Sequence, residues 1–62
     1  MCESNAYLIA NGEEQLVLES VSFLKPEGNS IVLRSLFGEE VTVKGRIREL
    51  DLVGHRILLE SP

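Results

Sequence analysis

Cys2 is the one cysteine of the chain, and it stands next to the amino terminus. A thiolate, a terminal amine and a deprotonated backbone amide in that position can form a compact chelate for a thiophilic divalent metal. A free thiol titrates at about 8.5 and an α-amine at about 7.7–8.0, so at neutral pH a metal must displace protons from both. Sulfur plus nitrogen donors favour square-planar or tetragonal ions such as nickel(II) and copper(II), and disfavour magnesium and calcium. If Met1 is removed, amine and thiolate both come from Cys2 and the amide nitrogen from Glu3. If Met1 stays, its amine and the Cys2 amide nitrogen take those places. Cys2 sulfur is the anchor in either form. The competing reading of a lone cysteine is a small exposed or half-buried thiol that binds nothing.

Other residues with chemical potential are fewer. His55 is the only histidine. Imidazole is the commonest protein metal ligand, but no spacing ties His55 to Cys2, so it is a secondary candidate. The paired glutamates Glu13-Glu14 and Glu39-Glu40 read as solvated surface. Lys44, Arg46 and Arg48 form a basic row, the footprint expected of a small RNA-binding β-barrel. No aromatic residue is interleaved with them, as stacking on single strands would require. No Ser/His/Asp set, glycine-rich phosphate loop or CxxC occurs, and no catalytic activity is expected.

These residues must be positioned by a chain of 62 residues, which suits one small β domain spanning 1–62. At this size a hydrophobic core is marginal alone, and a disulfide, metal or partner subunit commonly supplements it. One cysteine cannot form an internal disulfide. With 44% apolar residues, part of the apolar surface is expected to lie in an interface, most simply that of a homodimer. Ten acidic against six basic residues give a net charge of −4, the wrong overall sign for binding phosphate backbones or anionic membranes. No apolar run approaches the ~20 residues of a membrane span. The opening Met-Cys-Glu-Ser-Asn lacks the basic and apolar regions of a signal peptide. With a free thiol, this leads to an expected cytoplasmic location.

The elements read as strands. Ala6 to Ala10 is a short apolar run closed by Asn11-Gly12, a strong hairpin signal. Gln15–Glu19 and Val21–Leu24 follow, then a turn over Pro26 to Asn29. Ile31–Leu33 resumes the pattern and Phe37–Glu40 turns again. From Val41 to Arg48 the alternation places Val41, Val43 and Ile47 on one face and Thr42, Lys44, Arg46 and Arg48 on the other. Gly45 falls on the apolar face, where the sharp bend of a small barrel would need it. A turn over Asp51 to Gly54 precedes Arg56–Leu59. The expected fold is all-β, a small SH3-like, strongly bent antiparallel sheet or barrel of five to seven short strands.

Taken together, Met1-Cys2-Glu3-Ser4 with Tyr7, Lys25-Pro26-Glu27-Gly28-Asn29, Phe37-Gly38-Glu39-Glu40 and Gly54-His55-Arg56-Ile57-Leu58-Leu59-Glu60 resemble the CooT family of small nickel-binding proteins. The likeness covers essentially the whole chain. It implies a homodimeric SH3-like fold that binds Ni(II) through Cys2. It also implies an accessory role in nickel delivery, with carbon monoxide dehydrogenase or its maturation factors as partners. Cys2 carries over directly. His55 matches the closing pattern without acquiring a ligand role from it.

Overall fold

The computed structural model describes residues 4–62. Six strands follow one another: β1 (Ser4–Ala10), β2 (Glu13–Glu27), β3 (Ser30–Ser35), β4 (Glu40–Lys44), β5 (Arg46–Asp51) and β6 (Arg56–Glu60). They form one sheet in the order β4-β3-β2-β1-β6-β5. All neighbours are antiparallel except β1 and β6, which run parallel. The sheet is thus all-β, six-stranded and mostly antiparallel, as expected, with one parallel pair that the sequence does not specify. This pair arises because β4 and β5, joined only by Gly45, run in the same sense through the ladders, so the β5–β6 turn sends β6 back along the direction of β1.

β4 and β5 stand at opposite edges of the sheet order, yet only Gly45 separates them in sequence. The sheet must therefore curl until its two edges nearly meet, as β3 touching β5 shows. Gly45 has a φ of 149° and is buried, and a Cβ there would collide with the backbone oxygen of Glu60. The bend expected at this glycine is where the sheet folds back on itself.

The expected Gln15–Glu19 and Val21–Leu24 segments are one 15-residue strand. Its first half pairs with β1 and its second half with β3, changing partner at Val21. Two register shifts against β1 and one against β3 put three extra residues into β2 between Leu16 and Phe23. Bulges of this kind bend a strand and tighten its twist, so β2 can serve both walls of the curled sheet. The following turn is shorter than expected. Pro26 and Glu27 still pair with Ile31 and Ser30, leaving Gly28-Asn29 as the two-residue loop. Among the described residues nothing pairs with β2 beyond Val21 on its β1 side, and such an edge tolerates Pro26, which has no N–H to donate.

Alternation fills the interior. Ile31 and Leu33 of β3, Ile57 and Leu59 of β6, and Val43 of β4 point inward against Ala6, Leu18 and Val21. Leu33 and Leu59 are fully enclosed. Val41 and Ile47 pack against this core, while Thr42, Lys44, Arg46 and Arg48 face solvent, as the period-two pattern predicts. No helix of the described residues is long and apolar enough to cross a membrane.

Candidate metal centre

The proposed anchor, Cys2, and its neighbours Met1 and Glu3 lie outside the described residues. What the structure describes is the place where the chain that carries them joins the sheet. Asn5, half-buried at the start of β1, makes the contacts that define that place. Its backbone N–H donates to the carbonyl of His55 at 3.0 Å. Its side-chain Oδ1 accepts the backbone N–H of Ser20 at 3.2 Å. The carbonyl of Ser20 in turn accepts the N–H of Leu36 at 2.9 Å. Three separate elements thus meet around Asn5: the kinked middle of β2, the β3–β4 turn and the β5–β6 turn.

Two of the residues in this series have unusual backbone. Ser20 has φ 55° and His55 φ 57°, both in the left-handed region that non-glycine residues seldom occupy. Ser20 sits in the bulged part of β2, and His55 closes the β5–β6 turn. Asp51 supports that turn by accepting the N–H of Gly54 on Oδ1 at 2.8 Å.

The fold therefore brings His55 to the start of β1, a proximity invisible in a sequence where His55 stands 50 positions after Asn5. The His55 side chain is exposed. Among the described residues, no three or more His, Cys, Asp and Glu side chains converge as a metal site. Sequence reasoning missed Asn5 and Ser20. No local pattern distinguishes an asparagine near a strand start that will cap a kink fifteen residues away.

The basic row stays on the outer face of β4 and β5, as expected, but it is not a uniform patch. Arg46 donates from both Nε and Nη2 to Glu60 Oε2, at 3.0 and 2.8 Å. One of the three cations is thus neutralised by a carboxylate of the neighbouring strand. The aromatic residues lie elsewhere. Phe23 is covered by the Arg34 guanidinium at 4.7 Å and Tyr7 by Arg56 at 5.1 Å. Arg56 also bonds Glu14, whose carboxylate raises the arginine pKa further above its ordinary value. No aromatic platform accompanies Lys44, Arg46 and Arg48.

The β3–β4 turn is tightly organised. Ser35, buried, accepts the N–H groups of Phe37 and Glu39 on its hydroxyl at 3.1 and 3.2 Å. The Ser35 backbone N–H donates to Glu39 O at 2.8 Å. This turn holds Phe37 out in solvent, 80% exposed, and the β5–β6 turn does the same with Leu52 and Val53 at 78% and 92%.

Over residues 1–60 the sequence matches the family of CO dehydrogenase accessory protein CooT. An uncharacterized protein of Methanocaldococcus jannaschii is 35% identical over 61 residues, covering 98% of this chain and all of the relative. A second, from Archaeoglobus fulgidus, is 40% identical over 44 residues, covering 71% of this chain and 98% of its own. The crystal structure assigned to CooT of Carboxydothermus hydrogenoformans superposes with a TM-score of 0.90 at 39% identity, over 98% of both chains. The chain belongs to the CooT family of CO dehydrogenase accessory proteins.

Proposed function

We propose that this protein is a nickel(II)-binding accessory protein that holds the ion as cargo through the Cys2 thiolate and neighbouring terminal nitrogens. The match to the CooT family carries this reading, because it extends over residues 1–60 and so includes Cys2. The chemistry of the donor set agrees: thiolate, amine and amide nitrogens suit a tetragonal d⁸ ion. The action is ligand exchange, without bond-making on an organic substrate. A terminal site leaves coordination positions that a recipient can occupy one ligand at a time.

The recipient is carbon monoxide dehydrogenase or one of its maturation factors, in the cytoplasm. Two copies of the single 1–62 domain form a homodimer with the metal at the interface. Phe37, Leu52 and Val53, held in solvent on ordered turns, are the kind of apolar surface that a second subunit covers. His55, whose carbonyl lies beside the start of β1, stays a secondary candidate donor. The RNA-binding alternative through Lys44, Arg46 and Arg48 is disfavoured by the Arg46–Glu60 pair and by the net charge of −4.

A nickel titration followed in the thiolate-to-metal charge-transfer region tests the proposal. Wild-type protein should saturate at a fixed ratio, and Cys2→Ser should lose the band while keeping its fold. Unchanged nickel binding by Cys2→Ser would remove the proposal.

A further inference from the structure

We infer that Asn5 is a positioning residue for the metal-bearing amino terminus, resting on the nickel reading above. Its two hydrogen bonds fix the start of β1 from both sides. The backbone N–H ties it to the β5–β6 turn at His55, and Oδ1 ties it to the kink of β2 at Ser20. Both partners hold left-handed backbone conformations, at 57° and 55°. Such conformations cost of order 1–3 kcal/mol each and persist where the surrounding structure requires them. Here they serve the same end: each turns a backbone polar group toward Asn5.

The side-chain bond is the informative one. The bulges of β2 disrupt its ladder with β1 between Ser4 and Tyr7, so the Ser20 N–H takes a side chain as its acceptor. Asn5 Oδ1 substitutes for the missing ladder carbonyl. A plain strand pairing would have done this with any residue at position 5; this arrangement needs an acceptor of asparagine's reach. Cys2 is three residues upstream, within about 10 Å of extended chain. Fixing the chain at Asn5 therefore restricts the volume the thiolate can explore. A held ligand loses less freedom on binding the ion, and residues that orient ligands typically contribute 10–100-fold to metal affinity.

The test compares four full-length proteins by nickel titration, charge-transfer spectrum and the rate of nickel loss to a chelator, at 0.3 M salt to screen added charge. Asn5→Ala should bind nickel about tenfold more weakly, release it faster and shift the charge-transfer band. Asn5→Asp, which keeps an acceptor for the Ser20 N–H, should restore the wild-type band and release rate. Val43→Ala removes core volume from β4, three places from β1 in the sheet order and without a hydrogen bond to Asn5, and should lower stability while leaving all three nickel readouts unchanged. If Asn5→Ala does not fold, as judged by far-UV circular dichroism, Asn5→Ser takes its place with a smaller shift in the same direction. Cys2→Ser separates the two levels of inference. Retained nickel binding in Cys2→Ser overturns the nickel reading itself. Loss in Cys2→Ser with wild-type spectrum and release in Asn5→Ala, or with equal effects of Val43→Ala, overturns the role of Asn5 alone.

Discussion

Gly45 packs directly against the backbone carbonyl of Glu60, with no room for a Cβ between them. This contact lies where β4 passes into β5 and the two edges of the sheet approach each other. Its N–H donates to Asn29 O at 2.9 Å, tying the same bend to the β2–β3 turn. Replacement by alanine has to move backbone, and alanine also disfavours a φ of 149°. Gly45→Ala should cost about 3 kcal/mol or more by the strain and overpacking mechanisms. Of the ~5 kcal/mol available to a domain of this size, that is most of the stability. Urea denaturation of the metal-free protein would measure it. A midpoint within experimental error of wild type would show that the bend has slack.

Ser20 should be sensitive to the shape of its side chain. At φ 55° a β-branched residue clashes with its own backbone, whereas glycine is at ease. Ser20→Val is expected to lose about 2 kcal/mol. Ser20→Gly should stay within about 0.5 kcal/mol of wild type, because relief of strain offsets the greater entropy of the unfolded chain. Thermal melts of the pair would decide it, and equal melting temperatures would rule out a left-handed Ser20.

Much of the fold was legible in the sequence because burial on alternate positions leaves a period-two signature. Val41, Val43 and Ile47 against Thr42, Lys44, Arg46 and Arg48 is the clearest case, and Asn11-Gly12 marks the first hairpin with φ values of 54° and 78°. The continuous β2 was not legible. Its bulges are set by two different neighbouring strands, and no residue in Leu16–Phe23 announces them. The parallel β1–β6 pair was hidden for the same reason, since strand order is decided by long-range closure. At the site, Cys2 is conspicuous by its type and position alone. Asn5, Ser20 and the nearness of His55 exist only after three distant segments have met.

Ser35 carries the β3–β4 turn on one hydroxyl. It is buried, and its Oγ accepts two backbone N–H groups that otherwise lose a partner. Each N–H left unsatisfied costs about 1–3 kcal/mol where water cannot reach it, and less where it can. Ser35→Ala should therefore destabilise by about 2 kcal/mol and speed hydrogen exchange at Phe37 and Glu39 ahead of the rest of the sheet. Uniform acceleration across all strands would mean that the turn has no local stability of its own.

Nickel affinity should depend on pH in a direction fixed by proton competition. Below about pH 7.7 both the α-amine and the thiol of Cys2 carry protons, which the ion has to displace. Each released proton makes binding about tenfold tighter per pH unit over the range where its group is protonated in the free protein. Amine and thiol give about a hundredfold gain from pH 6 to 7 and the displaced amide proton about tenfold more, with the slope falling toward one once the amine and then the thiol discharge unaided. Titrations at fixed ionic strength in weakly coordinating buffers would yield the slope. A value near one would assign a single displaced proton, and a flat profile would be incompatible with thiolate capture at Cys2. Blocking the amine by acetylation should lower the slope by about one while sparing the charge-transfer band, since that band reports sulfur and the lost donor is nitrogen.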